Sequence, residues 1–170
     1  MPPIPGVSSL PELNVRTYVK LDNKPGVYFF SLDAGILSAV FAARSFYRLP
    51  YYYARMKVDL SREEIRYHSL RRVPANAEFR GSYRPTAPAQ LRPRGSLEHW
   101  LTERYCLYTT TGRSTFRAEI HHVPWPLQDA EAEIEVNTMA AAAGITLPDV
   151  PPLLHFSRRL DVLIWPLRRV

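Results

Sequence analysis

The sequence predicts a mainly β protein with a few short helices, its strands forming an antiparallel β-barrel, and three observations predict it. Residues 12–20, 51–60, 63–72, 77–85 and 129–136 alternate between apolar and polar positions with period two, the pattern of half-buried strands. Prolines number 16 in 170 residues, against the ~5% usual in globular proteins. They cut the chain into many short elements, since proline suits neither helix interiors nor central strands. Finally, two strand faces are polar without resembling a surface: Asn14, Arg16 and Tyr18 on one strand, and Tyr51, Tyr53 and Arg55 on another. Such faces suit the lumen of a barrel with a ligand-sized interior better than a dry sandwich.

Each element has its own signal. Residues 1–11 hold four prolines and no periodicity, and read as an extended lead-in. In 12–20, Leu13, Val15, Thr17 and Val19 point one way and Glu12, Asn14, Arg16 and Tyr18 the other. A turn over 22–26 leads to a continuously apolar strand, 27–32, that suits burial on both faces. Asp33 is placed to cap a helix within 33–49 that packs on the barrel, with Ile36, Leu37, Val40, Phe41 and Tyr47 as its apolar stripe. Pro50 ends that helix. In the strand after it, Tyr51, Tyr53, Arg55 and Lys57 oppose Tyr52, Ala54, Met56 and Val58.

Strands 63–72 and 77–85 pair as antiparallel neighbours, and 85–95 is too proline-rich for anything but a long surface loop. Ser96 caps a short helix over 97–103. Strands 105–110 and 114–123 flank a turn at 111–113. In 129–136 the alternate residues Glu131, Glu133 and Glu135 form an acidic outer face. Asn137 opens an alanine-rich helical turn that ends at Gly144, and a last strand spans 153–166. The whole reads as one domain over 1–170, with the barrel over 12–167.

Composition narrows the function. The balance of 22 basic and 16 acidic residues leaves a net charge of +6, but the arginines are scattered rather than gathered on one face, so nucleic acid is not the expected partner. Cys106 is the only cysteine, which excludes an intrachain disulfide and points to a reducing, cytoplasmic setting. The first residues lack the features of a signal peptide, and no apolar run has the length of a membrane span. His121 and His122 are adjacent on a strand and point to opposite faces, and His68, His99 and His155 are isolated, so no metal is expected. Cys106 lies in an apolar strand and reads as a buried thiol rather than a nucleophile. Neither a G-x-S-x-G elbow nor a glycine-rich phosphate loop occurs, and no cofactor is implied.

Longer blocks carry a resemblance: PELNVRTYV at 11–19, KPGVYFFSLDA at 24–34, LPYYYARM at 49–56, LTERYCLYT at 101–109, EIHHVPWPLQDAEAEIEVNTMAAAAG at 119–144 and LHFSRRLDVLIWPL at 154–167. Together they resemble the YqjF-like family, a bacterial family of uncharacterised function that is structurally similar to acetoacetate decarboxylase. The resemblance implies a decarboxylase-type β-barrel. In the decarboxylases a Pro-Lys-Lys motif follows the helix, and its first lysine forms a Schiff base with the substrate keto group. Here Pro50 is followed by Tyr51 and Tyr52, and no lysine lies between Lys24 and Lys57. A phenol forms no imine, so Schiff-base decarboxylation is not expected. Family members also carry several strands ahead of the segment resembling 2–11. The barrel is therefore expected to be incomplete at its N-terminal edge, and an open strand edge invites a homodimer.

The leading functional expectation is a barrel that binds a small anionic or acyl ligand through Asn14, Arg16, Tyr51, Tyr53 and Arg55, its arginines gripping an anion bidentately and its phenols donating to it. Two alternatives stand beside it. One is an enzyme acting on a keto acid or related carbonyl compound, with Glu103 as general acid or base. The other is a non-catalytic structural or interaction module whose interior is filled, its arginines paired with Glu103 or Glu12.

Overall fold

The computed structural model describes residues 10–61 and 64–170, which form twelve strands and three helices. The lead-in expected over 1–11 lies almost wholly outside the described residues, whose first element is a hairpin of β1 (Glu12–Leu21) and β2 (Lys24–Ala34). Its two turn residues, Asp22 and Asn23, have φ of +48° and +60°, the left-handed conformation that a two-residue hairpin requires and that Asp and Asn tolerate. The turn is thus tighter than the 22–26 expected, and Pro25 and Gly26 lie inside β2. The register slips between Val15 and Arg16, leaving Phe30 as the bulged residue of β2. Past that bulge β2 reverses which of its residues face which side.

Helix α1 (Leu37–Tyr47) follows, then β3 (Tyr51–Tyr53) and β4 (Arg55–Leu60). Strand β3 lies parallel to the end of β2, whereas β4 pairs antiparallel with β5 (Ile65–Arg71). One continuous stretch of chain therefore leaves one sheet and enters another. The crossing point is Ala54, 1% exposed, whose N–H donates to the Ala34 carbonyl at 3.0 Å. The remaining elements are β6 (Ala77–Pro85), α2 (Leu97–Thr102), β7 (Cys106–Thr111), β8 (Ser114–His121), β9 (Gln128–Asn137), α3 (Met139–Ala142), β10 (His155–Phe156), β11 (Leu163–Ile164) and β12 (Arg168–Arg169).

The strands form a seven-stranded sheet, with the path β1-β2-β7-β8-β11 and with β3 and β12 attached to β2 and β8, and a five-stranded sheet ordered β10-β9-β6-β5-β4. Strands that change sheets at a bend are how an orthogonal β architecture turns its corners. Among the described residues no ladder joins the two sheets into a ring, so the barrel is only approximate. Val27, Leu32, Leu49, Leu107 and Ala118 form a core cluster, with Tyr18, Phe29, Tyr47 and Tyr51 packed on it.

Several expected features hold. Ser96 caps α2, its hydroxyl accepting from the His99 N–H at 3.2 Å. Gly112, at φ +58°, sits in the β7–β8 turn, and Gly144, at φ +74°, follows α3. Glu131 and Glu135 pair across strands with Arg84 and Arg80; exposed pairs of this kind add little stability each.

Three expectations are corrected. Asp33 does not cap α1: it lies within β2 at 0% exposure, and Ile36 precedes the helix with no side-chain cap. The apolar stripe of α1 is only partly covered, since Val40 is buried while Leu37 and Phe41 are 65% and 75% exposed. The long last strand is instead the three two-residue strands β10, β11 and β12. These serve different partners, β9 for the first and β8 for the other two, so the tail passes from one sheet to the other.

Candidate functional site

Strand register decides where the expected site residues go. Residues directly paired across a ladder share a face. Asn14 pairs with Leu32, which pairs with Tyr51, and Glu12 pairs with Ala34, which pairs with Tyr53. Asn14 and Tyr51 therefore share one side of the seven-stranded sheet. There the Tyr51 hydroxyl donates to Glu12 Oε2 at 2.5 Å while its ring joins the core cluster. Burial first, and the Glu12 carboxylate second, push the Tyr51 phenol far above its ordinary range. Asn14 and Arg16 are exposed on the same strand, and the Arg16 guanidinium lies 6.0 Å from the Tyr18 ring.

Arg55 goes elsewhere. Beyond Ala54 the chain belongs to the five-stranded sheet, where Met56 pairs with Ser69 and Arg55 with Leu70. Ser69 is fully buried between the sheets. Arg55 and Leu70 hence point away from that interior. The expectation that Tyr51, Tyr53 and Arg55 line one lumen together with Asn14 and Arg16 is corrected: the chain changes sheet at Ala54, and Tyr51 lies against Glu12 and the core cluster, apart from the other two. Tyr53 and Arg55 stay together. They line a groove of about 650 Å³ between α1 and the end of β5, with Tyr52 and two further arginines, Arg44 of α1 and Arg72 just after β5. Among the described residues no carboxylate lines this groove. Among the described residues none of the three arginines forms an ion pair, whereas Arg66, Arg71, Arg80, Arg84, Arg92, Arg117 and Arg159 all do.

Beneath the groove lies a second polar cluster. Asp33 and Arg71, 0% and 2% exposed, meet at 3.0 Å across the gap between the sheets. Ser31 and Ser69 are buried beside them on the same two strands. The Tyr52 ring lies 4.6 Å from the Arg71 guanidinium, so Tyr52 touches both the groove and the buried pair. Among the described residues the Ser31 and Ser69 hydroxyls and Arg71 Nε have no hydrogen-bond partner, an uncommon condition for buried polar atoms. Burial drives the Asp33 carboxyl up to about 6, with Arg71 opposing the shift. The Tyr67 phenol is likewise pushed above its usual range, first by burial and then by Tyr83, Glu12 and Asp33.

Several other chemically capable residues have structural partners. The Glu103 carboxylate accepts from the Tyr105 hydroxyl and forms no ion pair with Arg16 or Arg55; that hydrogen bond is the main cause lifting Tyr105 to about 12. Cys106 is fully buried, donates to the Pro25 carbonyl at 3.3 Å, and has its thiol pushed up by burial. His122 is buried, stacks on Tyr105 at 4.7 Å between ring centres, and contacts the carbonyls of Val123 and Arg104. Lys24 pairs with Glu119 and Lys57 with Asp59, and no lysine lines the groove. Among the described residues no group of three or more His, Cys, Asp or Glu side chains is arranged to hold a metal ion, and no helix is long and apolar enough to cross a membrane.

Arg44, Arg72 and Tyr52 were not anticipated from sequence. The Arg71-Arg72 doublet was the available signal: adjacent strand residues face opposite ways, so one arginine had to enter the interior and the other had to leave it.

The fold is similar to the crystal structure of acetoacetate decarboxylase from Legionella pneumophila, with a TM-score of 0.51 at 8% identity, over 93% of this chain and 62% of that one. The chain thus spans less than two thirds of that structure, and at such identity the likeness concerns the fold alone. In sequence, 169 residues are 52% identical to the uncharacterized protein YqjF of Bacillus subtilis (strain 168), covering 99% of this chain and 70% of that protein. The DUF2071 family, described as an uncharacterized conserved protein, matches residues 1–161. With that match over nearly its whole length, the chain belongs to the DUF2071 family.

Proposed function

We propose that this protein binds a small anionic ligand in the groove between α1 and the β3–β4 junction. The observation that carries the reading is the set of three arginines, Arg44, Arg55 and Arg72, that line one groove in which, among the described residues, there is no carboxylate. Three guanidinium groups left together repel one another, and a bound anion relieves that repulsion while taking up their donors. Tyr52 and Tyr53 add phenolic groups to the same wall. The absence of a lysine from the groove supports binding, or chemistry other than imine formation.

The test is isothermal titration with a simple carboxylate such as butyrate at low ionic strength. Removing one charge-assisted contact costs about 1.5–3 kcal/mol. Arg55→Ala is therefore expected to weaken binding about ten- to a hundred-fold, and Tyr53→Phe to weaken it less. Unchanged affinity in Arg55→Ala, Arg44→Ala and Arg72→Ala alike would sink the proposal.

Glu103 as an acid or base has less support, since its carboxylate is held by Tyr105 and it does not line the groove. A carbonyl chemistry served by this groove has a better-placed carboxyl in Asp33, which contacts Arg71 behind Tyr52.

A further inference from the structure

The proposed anion site occupies only part of the groove, and the rest has a chemistry of its own. Leu37 and Val40 come from the first turn of α1, three residues apart and so on one face of the helix. Val73 and Pro74 form the opposite bank, in the turn after β5. Leu37 and Val73 are 65% and 75% exposed, so each bank offers accessible aliphatic surface. Arg44 follows Leu37 by seven residues, two helical turns on the same face. At 1.5 Å per residue the apolar and cationic ends of the helical wall are about 10 Å apart.

Resting on the anion-binding reading, we infer that the ligand is an amphipathic monocarboxylate: a fatty or acyl-chain acid whose head meets Arg55 and Arg44 and whose chain lies between Leu37 and Val73. Acetate is too short to reach both ends of the groove, and an eight-carbon acid is not. A dicarboxylate of the same length would replace the chain's terminal methyl with a charge among Leu37, Val40, Val73 and Pro74 and so lose apolar contact there. An alkylamine would bring a cation to three arginines. The groove volume of about 650 Å³ lies within the range common for small-molecule sites.

The experiment is titration of the purified protein with acetate, butyrate, hexanoate and octanoate, with octanedioate, octanol and octylamine as controls, repeated for Arg55→Ala and Leu37→Ser. Full burial of a methylene is worth about 0.8 kcal/mol, or about fourfold in affinity, and an open groove yields part of it. Octanoate is expected to bind at least tenfold more tightly than butyrate. Leu37→Ser is expected to weaken octanoate several-fold more than it weakens butyrate. Octanedioate is expected to bind more weakly than octanoate, and octylamine not at all. If octanoate is no tighter than butyrate while Arg55→Ala weakens both, the chain inference is overturned and the anion site stands. Equal binding of octanol and octanoate, indifferent to Arg55→Ala, overturns both readings, as does failure of every carboxylate to bind.

Discussion

Arg71→Ala is expected to lower the free energy of unfolding by about 3–5 kcal/mol, the cost of leaving one member of a buried ion pair without its partner. Asp33 and Arg71 are almost completely removed from water and come from different sheets, β2 and β5. Their attraction acts across the inter-sheet gap, but each has surrendered its hydration to enter it. The Asp33 carboxyl at about 6, rather than its ordinary 3.8, says that Arg71 only partly offsets that loss. Replacing both residues, as Asp33→Leu with Arg71→Met, should therefore cost far less than either single change and come near to neutral. Urea unfolding of the three variants checks this, and additive losses in the double variant would show that the residues do not act as a pair.

The same carboxyl gives stability a pH dependence of definite sign. Between 3.8 and about 6 the folded protein keeps a proton on Asp33 that the unfolded chain has released. Stability from this group is complete below pH 4 and declines as pH rises through 6. A shift of about two units corresponds to roughly 3 kcal/mol. Asp33→Asn removes this slope, so wild type and variant should diverge across pH 4–6 in urea midpoints and run parallel above it. Parallel behaviour throughout would contradict the burial assigned to Asp33.

Gly26→Ala is expected to cost about 2–3 kcal/mol, at the upper end of the usual penalty for overpacking. A methyl carbon there would stand 2.6 Å from the Cys106 carbonyl oxygen, 2.7 Å from its sulfur and 2.8 Å from a Tyr108 ring carbon. The nearest of these is backbone, so β2 and β7 must part where they pair at Val27–Leu107 and Tyr28–Tyr108. Cys106 reports the event: its fully buried thiol should react slowly with an aromatic disulfide reagent in wild type and many-fold faster in the variant. Gly35→Ala is the control, because its closest neighbour, Met56 Cβ, is an ordinary 3.7 Å away. Equal destabilisation at both glycines would show that close approach to β7 is not the cause.

What was legible in the sequence was whatever short-range chemistry decides. The β7–β8 turn, the Ser96 cap and the acidic face of β9 depend on residues a few positions apart, and alternation alone found β1, β5 and β6. Asp33 shows where this stops. An aspartate just ahead of a helical pattern reads as a cap, and only a partner on β5 reveals that it belongs to a strand and to the interior. The departure of Arg55 to the second sheet is hidden in a similar way. Alternation continues unbroken through Tyr51–Arg55, so the passage from one sheet to the other at Ala54 leaves no mark on the pattern. The β2 bulge is equally silent. Arg44 and Arg72 reach the groove from a helix and a strand end, a meeting that no local period encodes.

The crossing at Ala54 has a mechanical side as well. Tyr53 and α1 ride on the seven-stranded sheet, while Arg55 and Arg72 ride on the five-stranded one. A molecule gripped by all of them is a clasp across a seam, and holding it braces one half of the protein against the other. Occupancy would then slow amide hydrogen exchange in strands far from the ligand, at β7 as well as at β6, with no new contact made there.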